Sequence, residues 1–555
     1  MLKKFGFVVG LSALFAATAF AQTMDHSAMH PSEAQVRLLQ GIGNADHPIA
    51  TKNPEAQQYF DQGLNYIFAF NHEEARRSFE KAAELDPLAP MPLWGVALAV
   101  GPNYNDIDIG HERATKAMLA LEQARRLAVN APAEERGYVE ALSSRYGKDA
   151  SGAPEVRGQA YANAMAALTK QFPADPDAAV LFAESLMDLN PWKLWAPDGT
   201  PAENTLLIVS TLQGVLAQHP NDVGANHLLI HAVEASPEAS IAKASADRLQ
   251  TLAPNAGHLV HMPAHIYERI GNYDGAAASN RQAVQVDQAY FKAAHIEGVE
   301  NMYYTMYYVH NIHFLAASCS MEGNNVCTQK AAKELVAELM PGVKDNPQTE
   351  WFTPTEPWML VRFNHWTTIL EATLPSKEQT PVLNGMWHYA RGCAYAATGD
   401  LEKARQERDI VSRVAASLPA PLAVDFNNPA TEVFTLATLA LDARIDEAAG
   451  KRSEAIAAWK DAVVHWDKLA YNEPPDWYYP VRESLGGALL RDHQAKEAEA
   501  VFRADLKINA GNGRSLYGVW QSLLMQGRTA EAAKAEAAFR EAWKHSDTQL
   551  SIATL

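Results

Sequence analysis

The sequence predicts an all-α chain built as a solenoid of stacked helix-turn-helix units, and three observations carry that prediction. A histidine-bearing face recurs with a fixed period: His227, His231 and Glu234 return 34 residues later as His261, His265 and Glu268, and 34 residues is the length of one helix-turn-helix repeat. Residues 54–87 then place Tyr59, Gly63, Tyr66, Ala75, Phe79, Ala82 and Pro87 in the order that two close-packed helices require. Small residues let the paired helices approach, aromatics fill the gap to the next pair, and proline stops the second helix. Finally, glycine with a following alanine marks successive helical hairpins of the C-terminal part at Gly399 and Ala404, Gly450 and Ala455, Gly486 and Ala498, and Gly527 and Ala532.

Taken in order, the chain opens with Lys3 and Lys4, an apolar run from Phe5 to Phe20 and the small-residue site Ala19-Phe20-Ala21. This pattern reads as a secretory signal peptide over residues 1–21, so the expectation is an exported protein, periplasmic or secreted, beginning near Gln22. No later run has the length of a membrane span, and no transmembrane anchor is expected after cleavage. Residues 22–45 read as a flexible arm carrying Met24, His26, Met29 and His30. Thioether and imidazole donors together suit copper. The segment resembles the Met/His-rich stretches of periplasmic copper-resistance proteins; a plain solvated tail is the competing reading.

Residues 46–418 follow as the main superhelix. The motif from Tyr59 to Pro87 resembles the tetratricopeptide repeat (TPR) family, and the resemblance extends over most of residues 54–543, which implies a right-handed α-solenoid with a concave groove. Helical pairs are expected at 90–100 with 111–129, 133–146 with 154–172, 175–189 with 202–218, 223–252 and 257–287. A turn-rich loop, 190–199, carries Trp192 and Trp195, which would either cap a ligand or close the solenoid edge. An extended tyrosine-rich segment follows, with Tyr303, Tyr304, Tyr307 and Tyr308, and then a pair running through His310 past Cys327. Cys319 and Cys327 flank one turn and are expected to form a disulfide, leaving Cys393 unpaired. Residues 419–429 read as a linker, and 430–545 as three more repeats suited to binding a protein partner, with a tail at 546–555.

Composition narrows the functional classes. With 65 acidic against 47 basic side chains and a formal charge of -18, the chain lacks the basic footprint of a nucleic-acid binder.

The strongest chemical signal is the histidine set. Within a TPR frame the first helix of each pair lines the groove, and spacings of three and four keep side chains on one face. His227, His231, His258, His261, His265, His310 and His313 should therefore converge. Seven imidazoles on consecutive inner faces repel when protonated and lack partners when neutral, and metal coordination resolves both problems. Glu234 and Glu268 are candidates for additional ligands or for carboxylates orienting the imidazoles. Pro263 interrupts the second histidine helix and predicts a break or bend near Met262.

Seven histidines exceed one structural zinc site, so more than one transition-metal ion is expected. Copper leads, with zinc and iron as alternatives. Histidine ligands supplied by helices resemble, in chemistry alone, the coupled dicopper site of type 3 copper proteins. The His-x2-His-Met-Pro-x-His run is similar to that of exported bacterial TPR proteins, and that resemblance implies no particular reaction. The expectation is an exported TPR metalloprotein with a polynuclear, copper-favoured centre used for oxidative chemistry on a small molecule or peptide in the groove. The alternatives are a copper storage or delivery protein without turnover, and a TPR protein-interaction scaffold.

Overall fold

The structure is a computed structural model that describes residues 36–147, 152–296, 298, 301–419, 423–424 and 428–555. The signal segment and Met24, His26, Met29 and His30 lie outside the described residues.

Local sequence starts and stops the first hairpin. Asn53 accepts the Glu55 and Ala56 amides and Pro54 occupies the first turn, which begins the helix Pro54–Phe68; Asn71 accepts the Glu74 amide and begins His72–Leu85. Each cap satisfies amides that the helix itself cannot. The two helices close on Phe79, whose ring lies against Gly63 and Gly95; a Cβ on Gly63 would stand 2.6 Å from it. The same device recurs far along the chain, where Phe502 lies against Gly486 and Gly518. Phe79 and Phe502 are both fully buried.

The remaining hairpins follow the predicted order closely: Pro90–Ala99 with Gly110–Leu127, Ala133–Ser144 with Pro154–Gln171, Pro176–Met187 with Thr205–Gln218, and Val223–Val233 with Lys243–Leu252. After the histidine repeats come Val309–Glu322 with Asn325–Leu339, Pro381–Thr398 with Leu401–Ser417, Ala430–Ala448 with Arg452–Trp466, Arg482–Arg491 with Ala495–Ile508, and Gly513–Met525 with Thr529–Ala542. Successive helices pack on one another, so the core is continuous along the array. The chain is thus an all-α, TPR-like solenoid.

Local features of the chain refine the expectation, correct it or match it. The tyrosine segment is not extended: Tyr304–Tyr308 forms a π-helical turn that runs into Val309–Glu322. Residues 36–45 of the predicted arm lie along the first helix, with the Leu39 amide on Gln62 (2.7 Å) and the Ala45 amide on Asn65 (2.9 Å). Within 419–429, Ala423–Val424 pairs antiparallel with Asn428–Pro429. Pro263 splits its helix into Gly257–His261 and Pro263–Arg269, while Met262 keeps right-handed helical dihedrals, so the chain is interrupted without reversing direction. Cys319 and Cys327 are joined, with Cα atoms 5.9 Å apart, and Cys393 is a buried free thiol.

Two stability consequences follow from this packing. Phe79→Ala empties the space shared by three helices and is expected to cost about 3–5 kcal/mol in urea unfolding. Glu184 is buried beside Asp188, whose charge adds to the effect of burial against the opposing pull of Arg145, and its carboxyl is pushed up from 4.5 to about 8. Between these values the folded chain holds a proton that the unfolded chain has released, so stability falls as pH rises through the window. In thermal unfolding from pH 5 to 8, Glu184→Gln should flatten that slope.

Candidate metal centre

The leading helices of three successive repeats bring the histidines together. Asp222 caps Val223–Val233 by accepting the Ala225 amide, and every residue of that helix is buried, including His227 and His231 four residues apart on one face. The split helix of the next repeat supplies His258 and His261 before the break and His265 after it. The third element supplies His310 and His313.

The histidines converge as two triads. The ligand nitrogens of His227, His231 and His258 lie within 4.8 Å of one another, as do those of His261, His265 and His310. Each triad takes an i,i+4 pair from one repeat and the first histidine of the next. The triads abut, with the His231 and His265 rings 5.7 Å apart and the His258 and His261 rings 5.9 Å apart. His313 joins neither: its ring lies against Phe352 at 5.6 Å and its buried Nδ1 has no hydrogen-bond partner among the described residues. The position four residues beyond it, equivalent to His231 and His265, is Ala317.

Outer contacts determine which nitrogen faces inward. His227 Nδ1 donates to the Phe68 carbonyl (2.7 Å), His261 Nδ1 to Asn280 Oδ1 (2.6 Å), and His231 Nδ1 to Glu234 Oε1 (3.1 Å). Glu234 Oε2 lies 3.0 Å from His265 Nδ1, which also meets Glu473. With Nδ1 committed as donor, Nε2 carries the lone pair, the arrangement seen behind metal-bound histidines. The inward nitrogens meet each other: His227 Nε2 is 3.1 Å from His258 Nε2, and His261 Nε2 is 2.7 Å from His265 Nε2. Among the described residues, His231 Nε2 and His258 Nδ1 are buried without any hydrogen-bond partner. Between His227 and His258 the Nε2–H tautomer of His258 supplies the bridging hydrogen in the metal-free chain, its Nδ1 having no hydrogen-bond partner among the described residues. For the His261–His265 contact a proton serves in the metal-free chain, and a metal ion can serve in its place.

The electrostatics divide the set. Burial, reinforced by neighbouring imidazoles, holds His227, His258, His261 and His310 well below 6.5, in the neutral form that a metal requires. Burial alone lowers His313 to about 4. At His265 burial is overcome by Glu234 and Glu473, which raise it to about 10. Glu234 is likewise held down to about 2 against its burial by His231 and His265. Glu268 behaves differently despite its periodic position. It accepts from Ser318 (3.0 Å), contacts neither triad through a hydrogen bond, and is pushed up to about 8 by burial and by Glu473.

An aromatic shell encloses both triads. Phe70 stacks on His231 and His258 at 5.6 and 5.4 Å and meets His227 edge-on; Phe314 lies 5.2, 5.1 and 5.6 Å from His261, His265 and His310. Trp192 covers the outer side of His231 together with Tyr104, and Trp195 donates to the Ala232 carbonyl (2.8 Å) on the same helix. Phe70, Phe314, Asn280 and Glu473 were not legible as site residues. Only Phe314, four residues after His310, carried a local signal. Glu473 comes from the last repeats and has no periodic relation to the histidines.

No protein-family profile and no curated protein matches the chain. Among solved structures it is similar to the human IFIT1 dimer with m7Gppp-AAAA, at 14% identity over 89% of this chain and 91% of that one with a TM-score of 0.32. It is also similar to the APC/C hetero-tetramer Cut9–Hcn1, at 13% identity over 90% and 79% with a TM-score of 0.29. The third is yeast Tom70, at 11% identity over 88% and 93% with a TM-score of 0.27.

Because Glu234 touches both triads and Glu473 only one, their neutral variants should separate. Glu234→Gln is expected to weaken metal binding at both sites by about 10–100-fold, and Glu473→Gln at one site alone. Metal titration of the apoprotein with competing chelators reads both.

Proposed function

We propose that this protein is an exported metalloprotein holding two copper ions side by side, one in each histidine triad, and using the pair for oxidative chemistry. The observation that carries the reading is the division of six histidines into two adjoining sets of three, with Nδ1 of His227, His231, His261 and His265 turned to outer partners. All-imidazole sets suit copper, zinc and iron, whereas a carboxylate-bridged iron pair would want Glu234 among the inner ligands. Glu234 instead faces Nδ1 atoms, which favours a purely imidazole centre. Two adjacent one-electron ions supply a two-electron exchange. His227, His231, His258, His261 and His265 are at most 3% exposed, so a species of dioxygen size fits the site better than a peptide.

The same burial argues against a delivery protein, whose ligands must exchange metal with a partner. Filled inner faces argue against a peptide groove at this place. The Cys319–Cys327 bond suits an oxidising compartment.

Metal analysis of protein purified from the periplasm, and after reconstitution with copper, should find two equivalents. His231→Ala should leave one and His231→Ala with His265→Ala none; less than one equivalent of any transition metal, unchanged by the double substitution, overturns the proposal. Reconstitution with zinc in preference to copper would replace oxidative chemistry with a redox-inert centre, and oxygen consumption with ascorbate separates the two.

A further inference from the structure

A second polar cluster lies among the C-terminal helices, where a cavity of about 40 Å³ is lined by three guanidiniums, Arg362, Arg444 and Arg514, and one carboxylate, Glu483. Arg362 and Arg514 are only 6% and 4% exposed. Glu483 is already spent: it takes Arg362 through two contacts at 3.0 and 3.3 Å and the Asn512 amide at 2.9 Å, leaving Arg514 Nε at 3.9 Å. Arg514 donates its terminal nitrogens to the Thr554 and Arg362 carbonyls. Among the described residues no carboxylate pairs with Arg444, whose guanidinium instead lies 5.8 Å above the Trp459 ring. The Nε atoms of all three arginines are buried with no hydrogen-bond partner among the described residues.

The side-chain charges lining the cavity are thus unbalanced, three guanidiniums to one carboxylate, with Arg362 and Arg514 buried and Arg444 half-buried. Arginine does not escape by deprotonation at neutral pH. A buried unpaired charge costs several kcal/mol, and an anion with several acceptor oxygens removes that cost at all three arginines together. Burial and the neighbouring Arg362 lower Arg514 only to about 10, so it stays charged. Tyr479 and Ser484, which also line the cavity, hydrogen-bond to each other at 3.1 Å, which leaves one hydroxyl proton of the pair for a ligand. The volume accommodates roughly three water-sized groups at about 10–15 Å³ each, the scale of a tetrahedral oxyanion and too small for a nucleotide or a peptide.

We propose that this cavity is a binding site for a small dianionic oxyanion of the phosphate or sulfate class, separate from the metal centre and independent of its chemistry.

The test is calorimetry and thermal unfolding of the full chain with sodium phosphate, sulfate and acetate at neutral pH and constant ionic strength. Phosphate or sulfate, whichever is the cognate ion, should bind saturably and raise the unfolding temperature, with acetate and chloride inactive. Arg444→Gln should weaken that binding about tenfold or more, the loss of one charge-assisted contact. Arg444→Lys, which keeps the charge, should weaken it less and provides the reading if the glutamine variant misfolds. The same titration on His231→Ala with His265→Ala should be unchanged. Absence of saturable binding, equal binding by the Arg444 variants, or loss of binding only in the histidine variant would each overturn the proposal.

Discussion

One buried carboxylate organises the histidine site. Glu234 has an oxygen on His231 of its own repeat and the other beside His265 of the next. An anion with so little exposure is tolerated only because cationic or proton-donating groups surround it. Glu234 thereby turns two imidazoles so that their Nδ1 atoms face outward and their Nε2 atoms inward, one in each triad. The interaction sets tautomer, ring orientation and the spacing between triads together, and the remaining contacts build on it.

The repeat geometry explains why there are two triads rather than one ring of seven. A histidine pair one helical turn apart presents two nitrogens on the same stripe, and the third comes from the first histidine of the following helix, which packs alongside. Repeating the unit once yields the second triad. Ala317 ends the series, because the third repeat offers no histidine four residues after His313. The break at Pro263 and the π-helical turn before Val309 lie at the two places where one element feeds both triads or delivers the last ligand. Such interruptions re-aim side chains that a straight helix would hold on one line.

Distant parts of the chain complete the site. Phe70 from the first hairpin and Phe314 from the third histidine element exclude water from the imidazoles, which keeps four of them neutral. Glu473, on the segment before Arg482–Arg491, reaches His265 across 208 residues of sequence, so the C-terminal repeats contribute to the site as well as to the scaffold. Among those same repeats lies the arginine cavity.

The sequence by itself determined the helical hairpins, their order and the histidine face. Period, caps, the Gly63–Phe79 packing and the i,i+4 spacing are local properties, written within one or two repeats. It also located the interruption at Pro263, since a missing amide acts wherever the chain goes. Which histidines share a site was decided only by tertiary structure. Spacing assigns a side chain to a stripe of a helix, whereas convergence depends on how neighbouring helices are rotated and offset, and by spacing alone Glu268 and His313 were equal to Glu234 and His227. Glu473 and the three arginines illustrate the same limit: their meaning comes from burial beside charges far away in sequence, a condition created only when the repeats stack.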